Sequence, residues 1–494
     1  MKAAVVLATQ LFDEHPAYSD PEIDLFIVIE SVGAFRRRPY HAHKIVMLLS
    51  AMRHAVTGLR HAGRNVVHHR LRDSEASFSR VLSKTIEEHD ITHLAWMRPT
   101  DDRVHRRLLS VTAAHGVHTR TYPDDLFLTP DRALDGWFAA HPARRMEDFY
   151  RWQRRRTGVL MHDGAPAGGR WNFDTENRHP LPRDRRSRAP AIDIPPLPAL
   201  EPDEITRGAI ADTAALFADH PGDPETFWLP VTSDAARGWL ADFVERRLAL
   251  FGRYEDAMDA DEPFLFHSVI SPLLNIGLIT TAQVVAAVEA SDAPLESREG
   301  FLRQVIGWRE YIRGAFRAQP DLVHANHFGL TRALEPWWYT GEAIPDDLPV
   351  PVRAVLERVH RHGYAHHIER LMVLGNWFLL QGYEPREVYE WFSAMFIDAY
   401  DWVMVPNVQG MSQYADGGRV ATKPYVAGGA YLQRMGSWWP TAKHAQADAV
   451  TAAYWDFLDR HEPQLADNPR LALPLAQMRR RRAERPEQAG RAPP

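Results

Sequence analysis

The stretch from Gly363 to Tyr431 carries more information about fold and function than the rest of the chain. It reads GYAHHIERLMVLGNW from Gly363, FIDAYDWVMVPNVQGMSQYADGG from Phe396 and TKPYVAGGAY from Thr422. These segments combine paired histidines on a helical run, aromatic residues at helical spacing and a glycine-rich loop followed by Lys-Pro-Tyr. This combination is expected around a large planar cofactor and does not resemble the site of a hydrolase or a kinase.

The whole chain has the composition of a folded protein with more than one domain. Its 494 residues are 45% hydrophobic and 25% charged, which is enough to bury a full core in two or three domains. The formal net charge is only -6, so overall charge does not predict nucleic-acid binding. A DNA-binding surface would depend on local basic runs such as 144–156 and 183–188, although such runs are more often solvated surface.

The chain contains no cysteine. This excludes disulfides, thiol nucleophiles, thiolate zinc sites and iron–sulfur clusters held by cysteine. The apolar start MKAAVVLATQLFDEH is too short for a signal peptide, and no segment offers about 18 uninterrupted apolar residues. We therefore expect a soluble cytoplasmic protein, without a membrane segment and monomeric.

The N-terminal part alternates short strand-like runs with helical runs. The strand-like runs are AAVVLA (3–8), LFIVIE (25–30), NVVHHRL (65–71) and THLAWMRP (92–99), and the helical ones lie at 43–62 and 79–90. This alternation predicts an α/β domain with a doubly wound parallel sheet over residues 1–130. Any ligand of such a domain should lie at the carboxyl ends of the strands.

The remainder of the chain changes character twice. Residues 131–205 form a basic, Gly- and Pro-rich interdomain linker, whose aromatic residues before Asn177 favour an ordered segment there. Amphipathic helical repeats then predict a larger all-α domain over residues 206–476. The Arg- and Pro-rich end, 477–494, is expected to be disordered.

One candidate binding segment runs from Phe251 to Thr280. It places Tyr254 on a loop, and Ser268 and Ser271 at the opening of an apolar helix. Hydroxyl groups and free backbone N–H groups at a helix start suit a phosphate or pyrophosphate. Ordinary helix capping explains this segment alone equally well.

The paired histidines form a second candidate. On a helix, His367 and Arg370 would share a face while His366 points elsewhere. A histidine facing a pocket can donate a proton near neutral pH, and an arginine can hold a phosphate or a flavin edge. Taken alone, a packed structural histidine is the commoner role, and metal binding is weaker because Gly363 separates His362 from the helix.

Aromatic residues are dense in the same region. They are Trp377, Trp391, Tyr400, Trp402, Tyr414, Tyr425 and Tyr431. Aromatic residues at helical spacing are more often core than electron relay. Their density beside candidate phosphate-binding and proton-donating groups favours a redox function.

Nine motifs make the chain resemble the photolyase/cryptochrome superfamily over nearly its whole length. They are HAHKIVMLLSAMRH (41–54), MEDFYR (146–151), GGRWNFDTENR (168–178), FHSVISPLLNIGL (266–278), GWREYIRG (307–314), YAHHIERLMVLGN (364–376), IDAYDW (397–402), PNVQGMSQYADGG (406–418) and KPYVAGGAY (423–431). Within the superfamily, the chain resembles the bacterial branch related to (6-4) photolyases, which normally carries an iron–sulfur cluster.

The resemblance implies a bent FAD in the helical domain, blue-light-driven repair of DNA and a set of site residues. The implied cofactor-binding residues are Tyr254, Ser268 and Ser271 for the diphosphate region, Trp308 and Arg309 in the pocket wall, and Arg370, Asp398 and Asp401 at flavin or adenine. The implied catalytic positions are His366 and His367, of which the second matches the histidine that acts on the (6-4) lesion. The implied electron relay consists of Trp391, Tyr400 and Tyr339. The implied DNA-side residues are Arg151, Arg170, Arg178, Lys423 and Tyr425.

The chain departs from this branch at three places. The positions expected to hold cluster cysteines align with Asp347, Trp439, Ala442 and Asp448, so no cluster can form, and we expect Trp438, Trp439 and Pro440 to fill the vacated volume. Ala8, Thr9 and Gln10 replace a Gly-Asp-Gln of the antenna site, which argues against a lumazine-type chromophore although Glu30 and residues 41–44 remain. Met404 replaces an expected acidic residue, which would alter the charge near flavin and lesion.

Three functions stay open from sequence. The first is light-driven repair of (6-4) photoproducts in damaged DNA, with the lesion flipped into a flavin cavity and linker arginines on phosphates. The second is a cryptochrome-like blue-light photoreceptor without repair activity, which the cluster loss and Met404 favour. The third is a scaffold without FAD, against which the retained Ser268, Ser271 and Arg370 argue.

Overall fold

The computed structural model describes residues 1–73, 77–142, 145–184, 190–439, 441 and 443–484. An N-terminal α/β domain with a parallel sheet is followed by a larger helical domain. This confirms the predicted fold class. Among the described residues, no helix is both long enough and apolar enough to span a bilayer.

Five parallel strands form the sheet of the first domain, in the order β3-β2-β1-β4-β5. The strands are β1 (Lys2–Val5), β2 (Leu25–Ile29), β3 (Val66–His69), β4 (His93–Met97) and β5 (His118–Tyr122). β2 is buried throughout and reads as a continuous apolar run, because helices cover both faces of the sheet. The sequence did not predict β5, since HTRTY is polar and four of its five residues are exposed at the sheet edge.

Four helices flank this sheet. They are α1 (Val32–Phe35), α2 (Ala42–His61), α3 (Phe78–Glu88) and α4 (Asp102–Ala114). One apolar cluster fills the side covered by α3 and α4, and includes Leu82, Trp96 and Leu108. The opposite side, under α2, shares its core with the helical domain through residues such as Val46 and Leu273. The two domains are therefore packed on each other along α2.

The connecting segment is folded in its first part. It contains α5 (Asp131–Ala140), α6 (Met146–Thr157) and a two-stranded hairpin of β6 (Met161–His162) and β7 (Ala165–Pro166). The Phe138 ring of α5 lies 5.4 Å from the Tyr311 ring of the helical domain. The helical core therefore begins before residue 206, while the predicted domain boundaries stay predictions. Arg144 and residues 185–189 of the basic runs lie outside the described residues.

The second domain is helical throughout its described residues. Its first helices are α7 (Glu204–Leu216), α8 (Ser233–Arg246), α9 (Leu248–Tyr254), α10 (Ser271–Ile276), α11 (Thr281–Glu289), α12 (Leu295–Leu302), α13 (Glu310–Ala318) and α14 (Trp337–Thr340). Its later helices are α15 (Val350–His362), α16 (Asn376–Leu380), α17 (Pro385–Met395), α18 (Asp401–Met404), α19 (Gly429–Met435), α20 (Ala445–Arg460), α21 (Glu462–Leu465) and α22 (Ala472–Glu484). The helix α22 includes the first part of the predicted tail, and residues 485–494 lie outside the described part of the chain.

Three π-helical segments interrupt this domain. They span Arg303–Arg309, Glu369–Gly375 and Val405–Ser412. A π-turn widens the helix by one residue and re-aims the side chains around it, and such turns are frequent at functional sites. Each of the three overlaps a motif that carries the family resemblance.

A glycine fixes the entry into the paired-histidine motif. Helix α15 ends at Gly363, which has a left-handed backbone with φ of +61°. A Cβ atom there would lie 2.7 Å from Ile397 Cγ1 and 3.0 Å from His41 Nδ1. Only glycine suits both the conformation and the space, and the tight turn sends residues 364–367 directly into the centre of the helical domain.

Candidate functional site

Arg370, Asp398 and Ser271 form one hydrogen-bonded group in the helical domain. Arg370 Nη1 donates to Asp398 Oδ1 at 2.9 Å, and Ser271 Oγ donates to Asp398 Oδ2 at 2.6 Å. The guanidinium is held between aromatic rings, 4.2 Å from Phe396 and 4.8 Å from Tyr364. The structure thus brings together three of the residues that the resemblance implies for FAD, on three different elements.

Asn275 extends this group toward Arg309. Its Nδ2 donates to the Asp398 carbonyl at 2.9 Å, and its Oδ1 lies 3.5 Å from Arg309 Nη2. Arg309 is held over the rings of Phe127 and Trp402 at 4.1 and 5.3 Å. Burial lowers the pKa of Arg309 to about 10, which still leaves it cationic at neutral pH. Sequence reasoning did not name Asn275, although it lies in the quoted FHSVISPLLNIGL motif.

Three histidines lie side by side next to this group. The rings of His267 and His366 are stacked, with centroids 4.4 Å apart and planes 12° apart. His367 packs edge-on to His267 at 5.4 Å. His366 is fully buried and His367 is about half exposed. Burial, together with the other histidines nearby, holds the pKa of His267 and His366 well below the ordinary range, so both rings are neutral at neutral pH.

The stacked geometry does not suit a metal ion. The nearest ligand nitrogens of the three histidines lie within 4.8 Å of one another. A tetrahedral or octahedral ion requires ring edges that converge on one point, whereas the parallel rings of His267 and His366 face each other. We therefore assign no metal to this cluster.

His367 is half exposed beside charged and phenolic groups. Its Nε2 lies 3.6 Å from Asp256 Oδ1. Burial opposes the ionisation of Asp256, but the neighbouring His367 and Arg178 outweigh it and lower the pKa of this carboxyl. Tyr425 and Tyr431 are each close enough to Asp256 and Arg178 to interact electrostatically. Asp256 is a site residue that the sequence did not reveal, because RYEDAMDADE offers five acidic residues with no sign of which one faces the histidine.

The loop that carries His267 is strained. Leu265 and Val269 have positive φ angles of 45° and 54°. A branched or bulky side chain is rarely found in this region, and residues held there cost on the order of 1–3 kcal/mol each and cluster at functional sites. Both side chains are almost completely buried, so packing on either side holds the loop in this conformation.

This region fits the FAD that the resemblance implies. His267 Nε2 and both ring nitrogens of His366 are buried without a protein hydrogen-bond partner. Buried polar atoms normally have a partner from protein, water or ligand. An isoalloxazine or adenine edge could supply that partner, while Arg370 offers a cation and the Asp398 and Asn275 side chains offer acceptors and donors.

The other residues implied for FAD lie at the edges of this site. Tyr254 packs in a separate small cluster with Leu181 and Phe266 on the linker side. Ser268 accepts the Trp239 indole N–H at its carbonyl oxygen, at 2.9 Å. Trp308 is half-buried, edge-on to Tyr311 at 6.0 Å. Their roles toward FAD stay predictions.

A chain of aromatic rings leads from the site to the surface. Phe396, which stacks on Arg370, has its centroid 5.9 Å from Trp391. Trp391 lies 5.8 Å from Trp338, and Trp338 is stacked on the half-buried Trp337 at 4.2 Å. The sequence named Trp391 and also Tyr339, the immediate neighbour of Trp338, as relay residues, and these roles stay predictions.

A cavity of about 690 Å³ lies between the two domains. Its wall includes Ala8, Thr9 and Glu30 at the carboxyl ends of β1 and β2, where a ligand of a doubly wound domain is expected. Tyr400 and Asp401 also line it. These two residues were implied for relay and for FAD, respectively, and both face the domain interface.

Asp401 and Lys44 are two of the polar residues that line this cavity. Asp401 pairs with Arg38 at 3.3 Å, with Arg103 and with the Tyr389 hydroxyl at 2.7 Å. Lys44 is buried, donates to the Ala399 carbonyl and lies over the Tyr400 ring. Burial lowers the pKa of Lys44 to about 7.

Arginine side chains cover Trp171 on the linker surface. The guanidinium carbons of Arg151, Arg154 and Arg155 lie 5.7, 5.3 and 4.7 Å from its ring centroid. Of the other residues implied for DNA, Arg170 pairs with Glu176 at 2.8 Å, and Lys423 is half-buried two residues before Tyr425. The sequence did not identify Trp171 as the centre of this group.

The region expected to hold a cluster is packed with aromatic side chains. Trp438 and Trp439 are 5% and 1% exposed and belong to the main apolar cluster of the helical domain. The guanidinium of Arg358 lies 5.4 Å from the Trp438 ring. Asp347 is exposed. Pro440, Ala442 and the side chain of Asp448 lie outside the described residues.

Comparisons with known proteins agree on one family. Residues 4–229 match the model of the deoxyribodipyrimidine photo-lyase-related proteins. The (6-4) photolyase of Agrobacterium fabrum is 37% identical over 471 residues, which cover 92% of this chain and 91% of that protein.

Two solved structures share the fold at much lower identity. The cryptochrome of Synechocystis sp. PCC6803 aligns with a TM-score of 0.58 and 13% identity, over 97% of this chain and 98% of that chain. An archaeal photolyase from Sulfolobus tokodaii, described with two FAD molecules, aligns with a TM-score of 0.58 and 13% identity, over 94% and 99% of the two chains. The chain belongs to the photolyase/cryptochrome superfamily, in the branch of the bacterial (6-4) photolyases.

Proposed function

We propose that this chain is an FAD-dependent, light-driven photolyase for (6-4) photoproducts in DNA. The observation that carries the proposal is the position of His367. It is about half exposed, paired with Asp256 at 3.6 Å, and packed against the buried histidines beside the Arg370–Asp398 group. A histidine in this position can reach both a flipped-out base and the edge of a cofactor.

Each residue of the site has a separate role in the proposed reaction. When bound and reduced, FAD supplies an electron to the lesion after absorbing blue light. Arg370, Asp398 and Ser271 orient the cofactor, because each is fixed by at least one hydrogen bond to another. His367 is the proton donor to the lesion, and the Asp256 carboxylate lies 3.6 Å from its Nε2. The buried rings of His267 and His366 keep water away from its inner side.

The DNA would lie over the exposed side of His367. Arg178, Tyr425 and Tyr431 lie close to Asp256, and Arg151 and Arg155 beside Trp171 extend the basic surface along the linker. Guanidinium groups bind phosphate oxygens, and aromatic rings stack on unpaired bases. Affinity for damaged DNA should therefore fall as salt concentration rises.

The cavity between the domains supports a second chromophore as an antenna. Its volume of about 690 Å³ and its place at the strand ends suit a planar heterocycle. The replacement of Gly-Asp-Gln by Ala8, Thr9 and Gln10 argues against a lumazine. We therefore propose a binding titration with a lumazine and with a flavin mononucleotide, read by fluorescence.

The deciding experiment uses purified, reduced, flavin-loaded protein and an oligonucleotide with one (6-4) lesion. Under blue light, the wild type should restore the pyrimidines, and His367→Ala should bind FAD without repairing. His327→Ala removes an exposed histidine that packs on Tyr414 and serves as the matched control with full repair. An oligonucleotide with a cyclobutane dimer tests lesion preference.

Photoreception is the alternative function, and the replacement of an expected acidic residue favours it. Met404 is buried where the branch is expected to hold an acidic residue, and the Trp391–Trp338–Trp337 chain would photoreduce flavin in either function. Protein that photoreduces its flavin but leaves both lesions intact would contradict the repair proposal and support a receptor.

A further inference from the structure

A buried carboxyl group, Glu369, lies behind the histidine cluster. Its side chain is completely buried. Oε1 lies 3.5 Å from His366 Nε2 and accepts a hydrogen bond from Arg358 Nη1. Oε2 has no partner among the described residues. Glu369 is thus the charged group next to Nε2 of His366.

Contacts between histidine rings lead from Glu369 to His367, on the proposed substrate side. The His366 ring stacks on His267 at 4.4 Å, and its centroid is 6.3 Å from that of His367. His267 and His366 are neutral, as argued above, so the variable charge next to His366 is that of Glu369, while Glu255 and Asp256 act on His367 directly. At distances of this order inside a protein, one unit charge changes the proton equilibrium of another group by about one pH unit.

From this arrangement we infer that Glu369 is a positioning residue that sets the proton occupancy of His367 through His366. The inference rests on the proposed function, because it gives His367 the role of proton donor. With Glu369 ionised, its negative charge favours the imidazolium of His367. With Glu369 neutral, that support is lost and His367 releases its proton at lower pH.

Glu369 ionises near neutral pH. Burial raises the pKa of Glu369 to about 7, against the opposing effect of the Arg358 charge. As pH rises through neutrality, Glu369 therefore gains its negative charge in the same pH range in which the imidazolium of His367 would otherwise be lost. This arrangement of Glu369, His366 and His367 would keep His367 protonated over a wider pH range than an isolated histidine.

Other charged groups act on the same cluster and must be constant in a test. Those facing Glu369 are Arg358, Arg370 and Asp259. Those facing His366 and His367 are Asp256, Glu255, Arg358, Arg370 and the histidines themselves, His267 included. Arg358 also donates to the carbonyl oxygens of Asp259 and Ala260 and lies on Trp438, so its position does not depend on Glu369 alone.

The test replaces the carboxyl by its neutral isostere, Glu369→Gln, and measures two quantities. The first is the pH profile of (6-4) repair in single-turnover illumination of flavin-loaded protein. The variant should lose activity on the alkaline side about one pH unit earlier than the wild type, with unchanged flavin content. An unchanged profile would overturn the inference.

The second quantity needs neither light nor lesion. Nuclear magnetic resonance of the full, flavin-loaded protein with ring-labelled histidine follows the titration of His367, assigned with His367→Ala. In the wild type, this titration should show a second inflection near pH 7 from Glu369, and Glu369→Gln should remove it. A single inflection in the wild type contradicts the inference even if no variant folds.

A matched control separates this effect from the loss of any buried carboxyl. Glu299 is also fully buried, lies 3.7 Å from Arg303 and accepts from the Tyr150 hydroxyl at 2.9 Å. Glu299→Gln should leave the histidine titration unchanged, and an equal shift there would overturn the inference. Absence of repair in the wild type, with the second inflection present, would contradict only the proposed function.

Discussion

Trp391 and Trp338 are joined by both a ring contact and a hydrogen bond. Their centroids lie 5.8 Å apart at an angle of 74°, and the Trp391 indole N–H donates to the Trp338 carbonyl at 2.8 Å. Both side chains are fully buried. This pair connects the aromatic ring beside Arg370 with the half-buried Trp337.

The pair predicts the path of flavin photoreduction. Trp391→Phe and Trp338→Phe should each slow light-driven reduction of bound FAD more than about tenfold, equivalent to about 1.4 kcal/mol on the barrier, because phenylalanine is much harder to oxidise. Transient absorption with an external reductant measures the rate. Trp152→Phe, on α6, is the control without effect. An equal loss in Tyr400→Phe, with none in Trp338→Phe, would favour the route through Tyr400.

Glycine substitutions should have opposite effects at two helical positions. A Cβ atom on Gly314 in α13 would collide with the buried Phe138 ring, whereas one on the exposed Gly238 in α8 meets nothing within 4 Å. Gly314→Ala should cost about 1–3 kcal/mol of unfolding free energy through overpacking. Gly238→Ala should add about 0.5–1 kcal/mol through helix propensity. Urea denaturation of both variants measures the difference, and stabilisation by Gly314→Ala would contradict this packing.

The tryptophans in the region where this branch is expected to hold an iron–sulfur cluster can be tested by substitution. Trp439→Ala should lower the unfolding free energy by about 3–5 kcal/mol, because the side chain is 1% exposed in a large apolar cluster. The flavin absorption spectrum should stay unchanged. Trp455→Ala removes a half-buried tryptophan and should cost less. Unchanged melting of Trp439→Ala would show that this residue does not stabilise the region.

Buried Lys44 predicts a pH dependence of stability. Its pKa falls from 10.5 to about 7 on burial, so the folded state binds fewer protons than the unfolded state between these values. Stability should therefore rise with pH over this window and be lost as pH falls toward 7. Relative to Lys44→Met, the wild type should gain about 3 kcal/mol between roughly pH 7 and pH 10. Denaturant titrations of both proteins at the two pH values measure it, and equal pH dependence would contradict a neutral buried lysine.

The regular part of the fold was predictable because burial leaves a periodic trace in the sequence. LFIVI is buried residue by residue in β2, and the four apolar strands were placed correctly. The fifth strand, HTRTY, lies at the edge and has no such trace. The π-helical segments were not predictable, because a single widened turn barely changes an amphipathic pattern.

The sequence predicted those site residues that lie in recognisable motifs and come together in the fold. Arg370, Asp398 and Ser271 were named from three motifs and do meet. Asp256 and Asn275 were missed, since nothing in a single sequence shows which of several polar residues turns inward. Trp338 lies 53 residues from Trp391, and only the packing of α14 on α17 shows that they touch.

Arg358 has a consequence for how the protein is made. It joins Glu369, behind the histidines, to Trp438 near the end of the chain. A ribosome releases residues in order from the N-terminus, so the polypeptide already contains every histidine of the cluster long before Trp438 emerges. Until then the guanidinium has its bonds to Glu369 and to the Asp259 and Ala260 carbonyls but lacks its contact with the Trp438 ring. A nascent or truncated chain that ends before residue 438 would therefore leave this face of Arg358 uncovered.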